Sequence, residues 1–283
     1  MISDQTIHYK ASVIVSTYER PDALRAVLAG LANQTRTDFE VIVVDDGSGI
    51  LTKEAVEETR AFFGDRLVHV WQADDGCRVA AARNLGIAQM RSAYAIFLDG
   101  DCVPRQGFVD GHLRDAAPKT LVRGSRVLLS QIITEKSLAE QNPIHQWNMI
   151  EMIRRRLLKQ VNRVFPMLMP GSTIARDSRP SHWRSVRSCN CALWREDLLA
   201  LGGFDESSVG WAHEDSDLAI RAISFGLRVR RARSATCVLH LWHRERSRSD
   251  GGANWDRLLQ VERERRTVAL KTSLPSVTPK SHA

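Results

Sequence analysis

The sequence predicts an α/β fold with a mainly parallel β-sheet flanked by helices. Through the first 130 residues, short β-rich runs alternate with helical patterns. Alternation of this kind is typical of βαβ units with parallel strands. The predicted strands, such as residues 12–16 and 94–98, are mostly apolar along their length, as is usual for strands covered on both faces.

The elements of the first half can be placed in order. Residues 12–16 form the first predicted strand, and Pro21 then opens a helix, because proline suits the first helical position. In that helix Leu24, Val27 and Leu28 recur at the spacing of an amphipathic helix. We predict further strands at 39–44, 67–71 and 94–99, and further helices near 53–63 and 79–90.

After Gly124 the pattern weakens. Residues 144–164 form an amphipathic stretch that carries a run of arginines. Regular signals resume near residue 188, and we predict a strand near 236–241 and helices near 196–201, 214–225 and 255–271. Residues 272–283 contain Ser, Thr and Pro, which predicts a disordered tail.

The composition is that of an ordinary globular protein, with 43% hydrophobic and 26% charged residues. No apolar run approaches the roughly 20 residues that span a bilayer, and residues 1–10 do not read as a signal peptide. The five cysteines form an odd, scattered set without a CxxC pair. This usage indicates reduced thiols and predicts a cytoplasmic location.

The net charge of +7 is concentrated near the C-terminus. Between Arg228 and Lys271 there are twelve Lys or Arg and five Asp or Glu, so the rest of the chain is balanced. A basic patch of this kind could face phosphates, anionic lipid headgroups or nucleic acid. A solvated basic face without a partner is equally consistent with the pattern.

Two carboxylates follow the apolar run that ends at Leu98. Asp99 and Asp101 are spaced i, i+2, which places them on the same side of an extended segment. At a strand end they would lie at the rim of the sheet, where open α/β folds bind ligands. Such hard oxygen donors suit Mg²⁺ or Mn²⁺ shared with a phosphate. The alternative is an ordinary turn, because Asp-Gly-Asp is also common turn chemistry.

Three loops should meet at this edge, since each follows the carboxyl end of a parallel strand. They begin at Thr17, Asp45 and Asp99. Tyr18 could stack on a base and Asp46 could accept a base N–H, while Arg83 suits a pyrophosphate because its planar fork matches phosphate oxygens. The alternatives are a cap over the sheet for Tyr18, a helix N-cap for Asp46 and a surface charge for Arg83.

Together these segments resemble the family 2 glycosyltransferases of the GT-A fold. The matching text is SVIVSTYER (12–20), VVDDGS (43–48), ARNLG (82–86) and LDGD (98–101). The resemblance implies a nucleotide-sugar site in which Asp99 contacts the ribose and Asp101 the divalent cation. It implies that Thr17, Tyr18 and Asp46 bind the nucleotide base and that Arg83 binds the nucleotide or its phosphates. Glu19, Arg20 and Gly100 would belong to the same nucleotide-sugar site. Glu19 is a departure, since asparagine is common there in the family.

A second resemblance covers GGFDE (202–206) and GWAHEDSDL (210–218), which is similar to the acceptor-side segment of galactosyltransferase-like proteins. It implies that Asp215 is the catalytic base, while Glu214 and Trp211 hold the acceptor. Such a base would take the proton of the attacking hydroxyl. The alternative is a charged first helical turn, which the helix dipole favours.

The resemblance also implies a histidine ligand for the metal after the strand near 236–241, at His240 or His243. In a strand these two side chains would face opposite sides, which favours one ligand, His240. Cys189 and Cys191 are interpreted as strand packing, because a zinc site would need a second matching pair.

These observations predict an inverting glycosyltransferase that depends on Mn²⁺ or Mg²⁺ and uses a nucleotide-diphosphate sugar. The favoured donor class is a UDP-sugar. The acceptor would be a hydroxyl of a glycan or of a lipid-linked molecule, and the basic region could bring the enzyme to the inner face of the membrane. We expect one GT-A domain over 1–271, with a nucleotide-sugar half (10–125), an acceptor half (126–245) and a C-terminal helix (246–271).

Two other classes of protein are alternatives to a glycosyltransferase. A sugar-1-phosphate nucleotidyltransferase would need a glycine-rich loop after the first strand, where this chain has Thr17-Tyr18-Glu19-Arg20. A non-catalytic basic module that binds nucleic acid or an anionic membrane would leave the acidic cluster unexplained. We therefore expect no nucleic-acid partner.

Overall fold

The computed structural model describes residues 9–168, 183–207, 213–244 and 251–275. The strands within this part of the chain are β1 (Ala11–Thr17), β2 (Phe39–Asp45), β3 (Leu67–Trp71), β4 (Tyr94–Asp99), β5 (Cys102–Val103), β6 (Thr120–Arg123), β7 (Arg126–Leu128), β8 (Asn190–Trp194), β9 (Arg228–Arg231) and β10 (Val238–His240). The helices are α1 (Pro21–Ala32), α2 (Ile50–Phe63), α3 (Val79–Gln89), α4 (Phe108–Asp115), α5 (Gln131–Ala139), α6 (Met149–Leu157), α7 (Arg195–Ala200), α8 (Glu214–Ser224) and α9 (Gly251–Arg263).

The main sheet has seven strands in the order β3-β2-β1-β4-β8-β6-β9. The first four are parallel, β8 runs antiparallel to both β4 and β6, and β6 is parallel to β9. A small second sheet has the order β5-β10-β7. The predicted mainly parallel α/β fold is therefore confirmed, with β8 as an antiparallel insertion.

Both faces of the sheet are covered, because alternate side chains of each strand point to opposite sides. On one face Val13 and Val15 of β1 belong to the core that includes α1 and α2. On the other face Ile14 packs in a second core that includes Ala82 and Ile87 of α3. The continuous apolar pattern of β1 is the direct result of burial on two sides.

Helix α3 lies unusually close to the sheet at Gly86. A Cβ atom at this position would come 2.7 Å from Ile14 Cγ2 and 2.8 Å from Val44 Cγ1. The missing side chain therefore allows the helix axis to approach β1 and β2 closely. This approach also sets the position of Arg83, one turn earlier on the same helix.

The predicted C-terminal helix is wrong in its second half, because α9 ends at Arg263 rather than near residue 271. The backbone N–H groups beyond it bond elsewhere: Ala269 donates to the Leu201 carbonyl at 3.0 Å and Leu270 to Asp205 Oδ2 at 2.9 Å. Those bonds hold residues 269 and 270 against the segment that contains Leu201 and Asp205.

The predicted disordered tail begins with an ordered stretch. The N–H of Ser273 donates to Glu206 at 2.8 Å, so residues 272–275 belong to the fold, and 276–283 lie outside the described residues. In the described ranges, no helix combines the length and the apolarity needed to cross a membrane.

Candidate active site

One open cleft of about 950 Å³ lies at the carboxyl ends of the central strands. It gathers predicted residues from both halves of the chain: Thr17, Tyr18, Glu19, Arg20, Asp46, Arg83, Asp99, Gly100, Asp101, Glu214, Asp215, His240 and His243. Trp211, predicted to contact the acceptor, lies outside the described residues. The loops after β1, β2 and β4 therefore converge as parallel topology requires.

The turn between Asp99 and Asp101 passes close to β1. The N–H of Gly100 donates to the Ser16 carbonyl at 2.7 Å, and a Cβ atom on this glycine would lie 3.0 Å from that same oxygen. Glycine is the residue that tolerates such an approach. The turn thus projects Asp101 into the cleft while Asp99, the last residue of β4, stays beside β1, where it accepts a hydrogen bond from Ser16 Oγ.

The loop between β3 and α3 closes the end of the cleft where the base is predicted to bind. Asp46 accepts a hydrogen bond from the Arg78 N–H at 2.8 Å and another from the Gln72 amide. The hydroxyl of Tyr18 donates to Asp74 at 3.1 Å. Asp46 is not a helix N-cap, since α2 begins after Gly49 without a side-chain cap.

Glu19 and Arg20 line the cleft but bond within the protein. The Glu19 carboxylate accepts from the Gly49 N–H at 2.7 Å, which ties the loop to the start of α2. Its φ of 48° is unusual for a residue with a long side chain, and asparagine adopts this conformation more readily. Arg20 pairs with Asp22 at 3.0 Å.

Arg83 joins the two halves of the cleft. Its guanidinium donates to Asp99 Oδ1 at 3.0 Å and to Glu214 Oε1 at 2.9 Å, and its side chain is only 3% exposed. Burial opposes its charge, but the two carboxylates outweigh burial, so the pKa of Arg83 lies above its ordinary value. The surface-charge alternative is therefore excluded, while the predicted contact with phosphates stays a prediction.

Glu214 and Asp215 begin α8 and differ in their surroundings. Burial raises the pKa of Glu214 to about 7, a shift that Arg83 opposes and Asp215 increases. Asp215 is half-buried on the wall of the cleft and accepts a hydrogen bond from Ser216 Oγ at 3.2 Å. One carboxyl is therefore held by Arg83, and its neighbour lies on the wall of the cleft.

Asp101, His240 and His243 form the candidate metal centre. The Nε2 atom of His240 lies 3.7 Å from Asp101 Oδ1, and that of His243 lies 3.5 Å from Asp101 Oδ2. The expectation that the two histidines face opposite sides is wrong, because β10 ends at His240 and His243 lies beyond the strand. Both rings are therefore near one carboxylate.

The donors at this centre fit a divalent cation. Burial lowers the pKa of His240, which keeps its imidazole in the neutral form that binds metals. The thiol of Cys102 lies near Asp101 and His240, and burial raises its pKa well above the ordinary value, so without a bound cation it stays in the thiol form. A carboxylate with imidazole nitrogens suits Mn²⁺ better than Mg²⁺, which prefers oxygen.

Several cleft residues were not found from the sequence. Arg126 of β7, Arg187 and Arg244 line the cleft, and the Arg126 guanidinium donates to Cys189 Sγ at 3.5 Å. These arginines lie outside the recognised motifs, and the short strand β7 gave no periodic signal.

Cys191 packs inside β8 as predicted, whereas buried Cys189 precedes the strand and lies on the cleft wall.

Asn84 is a positioning residue whose role the structure explains. Its amide donates to the Phe204 carbonyl at 2.8 Å, and its oxygen accepts from the Phe204 N–H at 2.9 Å. These bonds fix the Gly202-Gly203 turn against α3. A polar residue at a fully buried position of a helix was the signal that could have identified it.

Comparisons with known proteins agree with this geometry. Residues 12–176 match the family described as Glycosyl transferase family 2, and residues 171–244 match the family described as N-terminal domain of galactosyltransferase. The chondroitin synthase of Escherichia coli is 28% identical over 233 residues, which cover 74% of this chain and 32% of that protein. The validoxylamine A glucosyltransferase of Streptomyces hygroscopicus subsp. jinggangensis is 31% identical over 228 residues, which cover 76% of this chain and 52% of that protein.

Solved structures share the fold. S. aureus TarS 1-349 in complex with UDP has a TM-score of 0.59 at 19% identity, over 89% of this chain and 65% of that one. The mannosyltransferase PcManGT from Pyrobaculum calidifontis, in complex with GDP-Man and Mn²⁺, has a TM-score of 0.54 at 19% identity, over 89% and 61%. The chain spans between a third and about half of the two curated relatives named above. Because the family match covers more than half of its residues, the chain belongs to glycosyl transferase family 2 and has the GT-A fold.

Proposed function

We propose that this chain transfers a sugar from a nucleotide-diphosphate sugar to an acceptor hydroxyl, with inversion at the anomeric carbon. The observation that carries the proposal is the cleft in which Arg83 links Asp99 to Glu214. One guanidinium thereby brings the predicted donor side and the predicted acceptor side into a single site. Membership of glycosyl transferase family 2 supports the same reaction class.

The donor is proposed to be a UDP-sugar. Thr17, Tyr18 and Asp46 would hold the base and Asp99 the ribose, in the part of the cleft closed by the β3–α3 loop. Structural neighbours of this fold are in complex with UDP or UDP-GlcNAc, although another is in complex with GDP-Man. This difference makes the base a point for experiment.

Asp101, His240 and His243 would hold a divalent cation, for which their donor types favour Mn²⁺. Such a cation, when bound, neutralises the charge that develops on the leaving diphosphate. The chain's own contribution is the fixed turn at Gly100, which keeps the Asp101 carboxylate beside both imidazoles.

Asp215 is proposed as the general base. The acceptor oxygen forms a bond to the anomeric carbon, the bond from that carbon to the diphosphate oxygen breaks, and the hydroxyl proton moves to Asp215. Glu214, fixed by Arg83, would orient the acceptor. The competing assignment makes Glu214 the base, since a carboxyl with a pKa near 7 is also suited to proton transfer.

The test is a panel of nucleotide sugars assayed for nucleotide release with Mn²⁺, Mg²⁺ or a chelator, in the presence of glycan and lipid-linked acceptors. We expect nucleoside diphosphate release from one donor class, dependent on the metal and on an acceptor. Absence of release from every donor contradicts the proposal. Pyrophosphate release from a nucleoside triphosphate and a sugar 1-phosphate would identify the nucleotidyltransferase alternative instead.

A cytoplasmic location and a membrane contact through residues 228–271 remain predictions. Several arginines of that region bond within the protein: Arg233 pairs with Asp115 at 2.9 Å, and Arg257 donates to the Ser207 carbonyl at 2.8 Å. These bonds leave fewer charges to face a partner than the sequence count suggests.

A further inference from the structure

Helix α6 carries an apolar stripe that faces away from the protein. Ile150, Ile153 and Leu157 are 79%, 46% and 78% exposed. Their i, i+3, i+7 spacing places them on one face of the helix. The opposite face holds fully buried Met152. Surface helices of globular proteins ordinarily turn their apolar stripe inward, so α6 has an apolar face that no described residue covers.

Basic side chains flank this stripe. With 3.6 residues per turn, Arg154 and Arg156 fall on its two sides, and both are exposed. Arg155 instead turns inward, where it lies over the Trp147 ring at 3.6 Å and pairs with Glu151 at 2.6 Å. Arg154 lies 3.6 Å from the same carboxylate, but its side chain is 71% exposed. Residues 149–168 contain five Lys or Arg and one Glu, a local charge of +4.

The apolar surface continues beyond the helix. Leu158, Phe165 and Leu168 are also more than half exposed. Six large apolar side chains are therefore exposed between residues 150 and 168. Single exposed apolar residues are common on proteins, but a concentration of this kind marks an interaction surface.

The same segment is joined to the wall of the cleft. The N–H of Leu128 donates to Asn162 Oδ1 at 3.0 Å, and the N–H of Asn162 donates to the Leu128 carbonyl at 3.0 Å. Leu128 itself lines the cleft. A partner seated on 149–168 would therefore lie beside the cleft opening.

We propose that residues 149–168 dock on an anionic lipid bilayer, and that the acceptor is lipid-linked. A bilayer offers an apolar interior to the stripe and an anionic surface to Arg154 and Arg156, as interfacial amphipathic helices require. A two-fold contact with a second copy would place two copies of this segment, each with a charge of +4, against one another. The docking rests on the surface alone, and the acceptor class rests on the proposed function.

The docking test is co-sedimentation with vesicles of phosphatidylcholine, with or without phosphatidylglycerol. We expect binding to the mixed vesicles at low salt and its loss at high salt. The double variant I153D/L157D should lower the partition coefficient by roughly 100-fold or more, since two apolar side chains leave the bilayer. R154Q/R156Q should lower it by roughly 10- to 30-fold.

Two controls localise the surface. Phe62 is 66% exposed at the far end of α2, and Phe62→Asp should leave vesicle binding unchanged. R263Q/R265Q removes two charges from the C-terminal basic region and should have a smaller effect than R154Q/R156Q. Loss of binding in R263Q/R265Q but not in R154Q/R156Q would overturn the proposal, as would equal binding to neutral vesicles or no binding at low salt. A stable dimer abolished by I153D/L157D, without vesicle binding, would instead identify a second copy as the partner.

The acceptor class has a separate readout. With lipid-linked acceptors in vesicles, I153D/L157D should lose transfer while it keeps the nucleotide affinity of the wild type. Equal transfer by the variant would show that docking through residues 149–168 is not needed, whereas wild-type transfer to a soluble glycan but not to a lipid-linked acceptor would contradict the lipid-linked acceptor. If the wild type binds vesicles but releases nucleotide from no donor, the docking stands and the proposed function fails. R154Q/R156Q serves both assays if I153D/L157D does not fold.

Discussion

At the scale of single residues, two adjacent carboxyl groups in the cleft, Glu214 and Asp215, have different hydrogen-bond partners. Both are partly buried, but Glu214 is bonded to Arg83 at 2.9 Å, whereas Asp215, within the described residues, accepts a longer bond of 3.2 Å from the hydroxyl of Ser216. The proposed roles follow this difference: Glu214, which Arg83 holds, would orient the acceptor, and Asp215 would take the proton.

This contrast predicts the effects of two conservative substitutions. Asp215→Asn keeps size and hydrogen bonding but removes proton acceptance, so turnover should fall by roughly 10² to 10⁴. Donor affinity should be unchanged, since the proposed donor contacts lie on other elements. Glu214→Gln should chiefly raise the KM for the acceptor. Steady-state kinetics of both variants decide between the two bases, and a fully active Asp215→Asn protein would rule out Asp215.

A second prediction concerns stability and pH. Glu214 has a pKa of about 7 in the folded protein, against 4.5 ordinarily. Between these values the folded state binds more protons than the unfolded state at this site, so the free energy of unfolding falls as pH rises through that window. Glu214→Gln removes this dependence. The stability of the variant relative to wild type should rise by up to about 3 kcal/mol from pH ~4.5 to pH ~7.

Urea unfolding at about pH 5 and about pH 8 measures most of this difference, since the greater part of the window lies between these two pH values. Glu58→Gln is the control, because Glu58 is exposed and its bond to Arg25 lowers its pKa, away from this window. A constant difference between wild type and Glu214→Gln would contradict the raised pKa of Glu214.

The sequence was informative about which residues meet and less so about how. The strand-end motifs place Asp46, Asp99 and Asp101 at one sheet edge through topology alone. The bridging of Asp99 and Glu214 by Arg83 could not be predicted, because Glu214 is 131 positions away from Arg83 in the sequence. The orientation of His243 was not predicted, because it depends on where β10 ends rather than on strand alternation.

At the scale of elements, the contact between α3 and the sheet fixes the site. Gly86→Ala would bring a methyl group within 3 Å of Ile14 and Val44, so it should lower the free energy of unfolding by roughly 1–3 kcal/mol. Helix propensity alone favours alanine over glycine by about 1 kcal/mol and would make Gly86→Ala stabilising. The steric contact predicts the opposite, a destabilised protein. Transfer activity should fall as well, since Arg83 would shift with the helix.

Urea unfolding of Gly86→Ala measures this effect. The matched control is Ala88→Gly at an exposed position of the same helix, which should lower the free energy of unfolding by less than about 1 kcal/mol, because it lies in the last turn. A stabilised Gly86→Ala protein would show that α3 can move away from the sheet without cost.

Elements with a clear apolar pattern were predicted well. Short strands, and the helix end that depends on a distant residue, were not. The strand at 67–71 and the helix that begins at Pro21 match the structure, because apolar pattern and helix-start chemistry agree there. Strands β6, β7 and β9 have three or four residues and include arginines, so they lack an apolar run. The end of α9 was missed because Asp205, far earlier in the chain, captures the Leu270 N–H.

At the scale of the whole molecule, ligand binding should appear as global stability. A ligand that binds only the folded state stabilises it by RT ln(1 + [L]/Kd), or about 2.7 kcal/mol at 100 times Kd. We expect UDP to raise the melting temperature by several degrees with Mn²⁺ and by less without it. Asp101→Ala should remove the difference that Mn²⁺ makes, while the unliganded protein melts close to wild type.

Thermal melts with UDP, Mn²⁺ and both together measure this. Exposed Asp65 lies outside the cleft, and Asp65→Ala is the control that should behave like wild type. If Mn²⁺ adds the same protection in Asp101→Ala as in wild type, the cation does not bind at Asp101.

The shared guanidinium of Arg83 has a consequence for the order of substrate addition. A nucleotide sugar that draws Asp99 toward its ribose would alter the hold of Arg83 on Glu214, and so the readiness of the opposite wall for an acceptor. Linkage makes any such coupling free energy reciprocal: an acceptor analogue must change donor affinity by the same factor by which donor changes acceptor affinity. A single buried side chain would then synchronise two binding events that share no ligand atoms.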